Sequence, residues 1–300
     1  MPNCHAGGVA DTLGAFGREF QAAFQRINQV TSQVTRIRPL PMSLSTITFT
    51  GTLSSSSLPV DAMRLATELA QEMDDPLEFS VDCDMAKPAK RQKSSSAPAP
   101  AAAAAAPGGK RFRYQLPLKR NGKSLKLFHN GSVHATGCTS PLEFLEMMDA
   151  LCVFMKDAGD VDAWLTGFDI QLINTLFVVT DPVTGRPMTI APGSFLRHLG
   201  ADTRADFDTE RHPSVKIPLR VDDAKVATVC VFQTGSVSIM GAKRPAHLAA
   251  AFEMVCTALE ACAAEVCVPD PKCTIRTTTA KHSLTLVEGY PFNLFSCCQV

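Results

Sequence analysis

The chain has 300 residues, 45% of them hydrophobic, and its 29 lysines and arginines balance its 29 aspartates and glutamates. This composition is typical of a globular protein with a sizeable core and excludes a mainly disordered chain. The sequence has no run of 18 apolar residues and no basic segment followed by an apolar one, so we expect an intracellular protein with neither a membrane span nor a secretory signal.

The net charge of zero hides an asymmetry along the chain. Residues 85–142 contain 11 lysines and arginines and no aspartate or glutamate, which leaves 29 − 11 = 18 basic residues against 29 acidic ones elsewhere. A basic field of this size attracts phosphate backbones. A solvated linker explains the first four lysines and arginines of this stretch equally well.

In chain order, the first predicted element is a helix over residues 11–35, whose apolar residues recur every three or four positions. We favour an accessory helix docked on the core over a helix that binds a partner. Residues 36–41 form a linker with two prolines. A strand follows over 44–53, and alternation places Thr46, Thr48 and Thr50 together on one of its faces.

The next part of the chain contains a low-complexity segment. Residues 59–73 are predicted to form a helix and residues 78–84 a short strand. Residues 87–109 combine a basic cluster, serines and a proline-broken alanine run, which predicts a flexible insertion. The basic cluster is either a nuclear-import signal or a solvated run. Strand character resumes over residues 112–119.

A hairpin sequence then occurs twice, as SLKLFHNGSVHATG over residues 124–137 and as TVCVFQTGSVSIMG over residues 228–241. Matching residues are separated by 104 positions throughout. Each copy predicts two strands closed by a tight turn, with Gly131 or Gly235 at positive φ. A helix is predicted after each copy, because a proline stands where a first helical turn tolerates it.

Both hairpins carry a phenylalanine on the face opposite their aliphatic residues. Side chains alternate along a strand, so Phe128 and Phe232 point away from the predicted core. Either each ring packs against a neighbouring strand or loop, or the open face of the sheet inserts it into a ligand. The recurrence of the same exception in both copies favours insertion.

The second half repeats the order of the first. A strand over 168–180, a helix over 192–199, a charged loop over 202–211 and a strand over 215–221 lead into the second hairpin. The path of strand, helix, four-strand run and helix therefore occurs twice. We predict an α+β fold in which two equal half-domains form one continuous, curved antiparallel sheet, with helices on one face and the other face open.

At this point the residues resemble the family of the TATA-box-binding protein (TBP), a duplicated general transcription factor with a saddle-shaped core. The family's repeat ends in a hairpin of the form apolar-Phe-x-x-Gly through Thr-Gly-Ala-Lys, which residues 127–137 and 231–243 match. Residues 168–171 resemble its Phe-Lys-Ile-Gln, and residues 110–112 its Lys-Arg-Phe. The resemblance covers about residues 42–266. Such a divergent, cysteine-rich member is similar to the TBP-like factors of large DNA viruses.

The resemblance implies the domain organisation and the fold, a duplicated TBP-like saddle with helices on the convex face. The implied units are an N-terminal helix and linker over 1–41, a first repeat over 42–160 with the insertion at 86–109, a second repeat over 161–268 and a tail over 269–300.

The resemblance also implies that the open face binds the DNA minor groove, with phenylalanines wedged between base steps as is known for this family. Phe112 and Phe128 would form one wedge pair, and Phe232 and His212 occupy the corresponding places in the other half. The implied DNA-binding set is completed by floor and basic residues, namely Thr46, Thr48, Lys126, His134, Thr136, Leu172, Asn174, Ser238, Met240, Arg111, Arg113, Lys119 and Arg120.

Four of these positions depart from the family pattern. Thr46 and Leu172 stand where the family has asparagine, His212 where it has phenylalanine and Met240 where it has threonine. Minor-groove readout is degenerate, so these changes predict weaker discrimination between base pairs with binding retained.

The implied function is that of a transcription initiation factor that nucleates a preinitiation complex at promoters. Its implied partners are double-stranded DNA, RNA polymerase and general transcription factors such as a TFIIB-like protein, with no membrane partner. The implied location is the nucleus, or a viral factory or virion if the chain is viral. The alternative is a TBP-like interaction scaffold that has lost DNA binding.

A catalytic role is disfavoured by the scatter of reactive residues. The seven histidines stand singly, and the sequence has no nucleophile elbow, phosphate loop or metal-ligand spacing. The 11 cysteines form no Cys-x-x-Cys pair, which predicts buried thiols in a reducing compartment. We therefore expect no enzymatic activity, no cofactor and no metal.

Overall fold

The computed structural model describes residues 7–55, 80–81, 115–128, 130–159 and 162–269. The helix expected over 59–73, the low-complexity insertion, Phe112 with its flanking arginines, and the tail beyond residue 269 lie outside these described residues. No helix in the described part of the chain is both long and apolar enough to cross a bilayer.

The described elements are four α-helices, one 3₁₀ turn at Ala201–Thr203 and twelve strands. The helices are α1 (Gly7–Gln33), α2 (Pro141–Gly159), α3 (Pro192–Leu199) and α4 (Pro245–Val266). The strands are β1 (Arg38–Pro39), β2 (Ser43–Ser55), β3 (Ser80–Val81), β4 (Gln115–Arg120), β5 (Lys123–Phe128), β6 (Ser132–Cys138), β7 (Ala163–Thr180), β8 (Met188–Ile190), β9 (Ser214–Val221), β10 (Ala224–Phe232), β11 (Ser236–Ala242) and β12 (Cys267–Pro269).

One antiparallel sheet organises the described fold. Its strand order is β3-β4-β5-β6-β2-β7-β11-β10-β9, and β1 pairs with β7 beside this path. β8 and β12 form a separate two-stranded sheet. Each half of the large sheet contributes its hairpin and its long first strand, and the two long strands, β2 and β7, pair at the centre. The predicted α+β class and the open, duplicated antiparallel sheet are confirmed.

The pairing register makes the duplication visible in space. In both hairpins the paired residues are the same after the shift of 104, as in Leu125–Ala135 and Val229–Ile239. Ala135 pairs with Phe49 and Ile239 pairs with Thr175, so β2 and β7 correspond with a shift of 175 − 49 = 126. Ile47 then corresponds to Ile173, and these two residues pair with each other. The pseudo-twofold axis therefore passes between them.

The helices cover one face of the sheet and leave the other without a helix layer in the described structure. Alternate residues such as Phe49, Leu127, Ile173 and Val231 are buried and form the core with α2 and α4. α2 begins with a capping box, because Ser140 Oγ accepts from the Glu143 amide at 3.2 Å and Glu143 accepts from the Thr139 amide at 2.7 Å.

α1 is an accessory helix docked on the core, as favoured from the sequence. It lies against α4 and β7 and buries Phe20, Phe24, Ile27 and Val30. Arg26 forms an ion pair with Glu253 of α4. The segment after α1, expected to be only a linker, includes β1. It is held by α4, because the carboxylate of Glu260 accepts five hydrogen bonds from four donor groups of residues 35–37, at 2.9 to 3.2 Å.

Two further local predictions hold. Gly131 and Gly235 close their hairpins with φ of +81° and +78°, a conformation that residues with a Cβ rarely adopt. The six described cysteines are all buried, as predicted. Burial raises the pKa of the Cys256 thiol to about 12, which makes it unreactive.

Candidate nucleic-acid interface

We call the side of the large sheet opposite α2 and α4 the open face. Phe128 and Phe232 lie on it, because their neighbours Leu127 and Val231 point into the core. Both rings are partly exposed. They stand at equivalent positions at the ends of β5 and β10, one in each half of the sheet.

The two rings have different surroundings. Phe128 borders a cleft of about 390 Å³ on the open face. Phe232 lies beside His212, with ring centroids 5.8 Å apart and ring planes at 48°. His212 Nδ1 is 2.6 Å from the hydroxyl of Ser214, which is the strand partner of Phe232. The structure therefore brings the second predicted wedge pair together, whereas Phe112 of the first pair lies outside the described residues.

The centre of the open face is built around the pseudo-twofold axis. Thr46 pairs with Asn174 and Thr48 pairs with Leu172. The amide of Gly241, at a bulge of β11, donates to Asn174 Oδ1 at 2.8 Å, so a ligand on this face meets the donor end of that carboxamide. In the other half the amide of Gly137 donates to Thr46 Oγ1 at 3.2 Å.

The remaining floor residues differ in accessibility. Thr136 and Ser238 are partly exposed, and Met240 is 39% exposed. Thr48 was predicted to contact the ligand but is only 5% exposed, because it lies on a central strand beside the larger Leu172. Cys230 alternates onto the same face as Phe232 and is fully buried between its strand partners Lys216 and Ser238.

His134 stands in a row of polar residues that crosses the strands. Strand pairing connects Asp169 to Thr50, Thr50 to His134, and His134 to Lys126. Partial burial lowers the pKa of His134 below its ordinary 6.5, and the positive charge of Lys126 lowers it further. The imidazole is therefore neutral at pH 7, and one of its nitrogens is a hydrogen-bond acceptor.

The predicted basic residues divide between the two faces. Lys119 and Lys126 alternate with buried leucines on the open face and are exposed. Arg120 has the parity of Leu118, so it points toward the helix side and is half-buried, which differs from the expectation that it joins the open face. Lys123 also points to that side, with its Nζ 3.6 Å from Glu143 Oε1 of α2.

The opposite end of the sheet carries charged groups of both signs. Asp222 and Asp223 form the turn between β9 and β10, where Arg204 and Arg220 pair with Asp223 at 3.5 and 3.3 Å. Arg111 and Arg113 lie outside the described residues.

Sequence reasoning placed Thr50 on the same strand face as Thr46 and Thr48 but left it out of the predicted DNA-binding set, and it assigned Asp169 to neither face. The register of β2 with β7 shifts between Thr48 and Phe49 and again between Thr52 and Leu53. Such irregularities decide which face a side chain joins, and a single strand sequence does not display them. Alternation along β2 was sufficient to place Thr50, whereas no sequence signal pointed to Asp169.

Comparison with known proteins gives one family. Residues 195–262 match the family model of transcription factor TFIID, or TATA-binding protein. The solved structure of the Methanococcus jannaschii TBP is similar at 16% identity with a TM-score of 0.48, over 74% of this chain and 99% of that one. No curated protein sequence matches the chain. The family match, on the second of two units that share one hairpin register, supports a divergent TBP-like protein.

Proposed function

We propose that the protein is a non-enzymatic transcription initiation factor whose open face binds and bends promoter DNA from the minor groove. The observation that carries the proposal is the equivalent placement of Phe128 and Phe232, one in each half of an open antiparallel sheet. The matched family consists of DNA-binding transcription factors, which agrees with this role.

The chemistry of the open face is suited to a minor groove. An apolar side chain inserted between two base pairs unstacks them and kinks the duplex away from the protein. Phe128 and Phe232 are the side chains we assign to this step, with His212 beside the second. The floor between them, formed by Thr46, Asn174 and their neighbours, meets the base edges. Lys119 of β4 and Lys126 of β5, on the same face, attract phosphates.

The rest of the assignment follows from the family. We divide the chain into an N-terminal helix and linker (1–41), a first repeat (42–160), a second repeat (161–268) and a tail (269–300). In this role the DNA-bound protein nucleates a preinitiation complex in the nucleus, with RNA polymerase and a TFIIB-like factor as its partners.

The test is DNA binding by a double variant, Phe128→Ala with Phe232→Ala. We expect the wild type to bind AT-rich duplex and retard it as bent DNA, and the double variant to lose both properties. Phe154→Ala is the matched control, because this partly exposed ring lies on α2, away from the open face.

Two outcomes contradict the proposal. If the double variant binds and bends duplex as the wild type does, the open face is not the binding surface. If the folded wild type binds no duplex at low salt, the protein is a scaffold that has lost DNA binding.

A further inference from the structure

The two halves of the open face have different chemistry at equivalent positions. The shift of 126 relates Thr50 to Leu176, and the shift of 104 relates Thr136 to Met240. Two more equivalent pairs follow the same rule, Thr46 with Leu172 and Thr52 with Val178. Hydroxyl groups in the first repeat thus correspond to aliphatic or thioether groups in the second.

Additional acceptors increase this difference in the first half. His134 corresponds to Ser238, and Asp169 corresponds to Ser43, which pairs with Leu176 as Asp169 pairs with Thr50. The carboxylate of Asp169 is exposed beside the cleft that also touches Thr50 and His134. DNA phosphates repel an exposed carboxylate, and an ionised carboxylate is only a hydrogen-bond acceptor. On a DNA-binding face, a hydrogen bond donated by the ligand would offset this repulsion.

The second half has the opposite character. Leu176 and Met240 are large apolar side chains that are 42% and 39% exposed to solvent. Both belong to strands that pair with each other, β7 and β11, on one side of the axis. The hydroxyls beside them come from Ser238 and Ser43, the strand partners of Leu176, and Ser43 Oγ donates to the Leu176 carbonyl at 3.1 Å. A donor placed against the side chains of Leu176 and Met240 would lose its water without gaining an acceptor from them.

The minor groove offers one group that separates these two halves. A·T pairs present acceptors only, whereas a G·C pair adds the 2-amino group of guanine, a donor. Thr50 Oγ1 accepts from Gln171 Nε2 at 3.0 Å and Asp169 Oδ1 accepts from the Ile170 amide at 2.8 Å. The remaining lone pairs of these two side chains, and the neutral imidazole of His134, are able to accept from this donor. Leu176 and Met240 are not.

Building on the proposed function, we propose that the open face fixes the orientation of a bound duplex by reading guanine asymmetrically. The half beside Thr50, His134 and Asp169 accepts G·C pairs. The half beside Leu176 and Met240 requires A·T pairs. A duplex with G·C pairs in one half therefore binds in one orientation. A duplex with G·C pairs in both halves binds more weakly in either orientation.

Inosine provides the test, because an inosine·cytosine pair lacks the 2-amino group and otherwise resembles G·C. For each duplex we compare the Kd with guanine and the Kd with inosine at the same positions, so that effects on overall affinity cancel. With G·C pairs in one half, we expect guanine to bind at least as tightly as inosine. With G·C pairs in both halves, we expect guanine to bind roughly tenfold more weakly than inosine.

Two mirror-image variants complete the design. Thr50→Leu with His134→Ser copies the second half onto the first, and we expect it to extend the roughly tenfold guanine penalty to the one-half duplex. Leu176→Thr makes the opposite change at an exposed position, and we expect it to reduce the penalty in the two-half duplex. Thermal unfolding of each variant checks the fold, and either variant alone suffices for the test.

The possible failures are distinct. If the wild type binds no duplex, the proposed function fails. Suppose that it binds A·T duplex, but guanine already weakens binding relative to inosine in the one-half duplex, or does not weaken it in either duplex. DNA binding then stands and the asymmetric reading is overturned. The same holds if neither variant changes the ratio of guanine to inosine Kd.

Discussion

The division of the basic residues between the two faces of the sheet predicts which lysines set the salt dependence of DNA binding. Lys119 and Lys126 lie on the open face. Lys123, between them in sequence, points to the helix side and pairs with Glu143 at 3.6 Å. The perturbation is Lys119→Gln with Lys126→Gln, and Lys123→Gln is the matched control for the loss of positive charge.

Counterion release gives the magnitude. Each phosphate contact contributes about 0.9 to the slope of log K against log salt concentration, so losing two contacts should flatten the slope by about 1.8. Between 50 and 200 mM salt, a fourfold increase, the double variant should lose about twelvefold less affinity than the wild type. The control should keep the wild-type slope, because its lysine faces α2.

The assay is fluorescence anisotropy with one labelled duplex at four or more salt concentrations. An unchanged slope in the double variant would refute phosphate contact by these two lysines. A slope reduced equally by Lys123→Gln would refute the assignment by face, since a general effect of net charge would then suffice. Neutralising Arg120 together with all three lysines should flatten the slope by less than four contacts would, because two of the four point away from the open face.

Three other predictions concern the framework of the site. Burial raises the pKa of the Glu260 carboxyl, but its hydrogen bonds from Thr35 to Ile37 outweigh that effect and hold it below the ordinary 4.5. Glu260→Gln should lower the free energy of unfolding by about 1 kcal/mol at pH 7, allowing for solvent screening. The difference from the wild type should shrink as pH falls below 4.5, because the carboxylate then becomes protonated. Chemical denaturation that gave an equal difference at all pH values would contradict this. Gly235→Ala should destabilise the protein by about 2 kcal/mol or more, because the new Cβ would meet the carbonyl oxygens of Met188 and Val179. Gly122→Ala, at a similar φ but in open space, should destabilise it by about 1 kcal/mol. Equal losses of stability in denaturant unfolding would refute the steric reason. Burial and the charge of Lys126 keep the pKa of His134 below 6.5, so its imidazole should protonate only as pH falls below that value. In the wild type the free energy of unfolding should then fall and the DNA affinity rise, whereas His134→Gln should show neither change. Identical pH profiles of the two proteins would rule out this role.

The repeated elements were predictable because their information is local. The turn glycines, the alternation around Phe128 and Phe232 and the helices after Pro141 and Pro245 each depend on a few neighbouring residues. The helix over 192–199 was also predicted with the bounds that the structure shows. Duplication then supplied the topology, since two copies of one path have few ways to share a sheet.

What could not be predicted depends on partners distant in sequence. β7 was expected to begin at residue 168 but begins at Ala163, where it pairs with Ser55. Residues 38–39 were read as linker, yet they pair with Thr180 and Val179. The position of Asp169 on the open face, and the near-complete burial of Thr48, follow from pairing register and from neighbours on adjacent strands.

The central claim, that the open face binds and bends DNA, is tested most directly by selection of duplexes from a random pool at stated salt, followed by circular-permutation mobility of the enriched sequences. We expect AT-rich winners with a position-dependent retardation that Phe128→Ala with Phe232→Ala abolishes. Recovery of unenriched sequences, or of duplexes whose mobility does not depend on the position of the site, would contradict the claim.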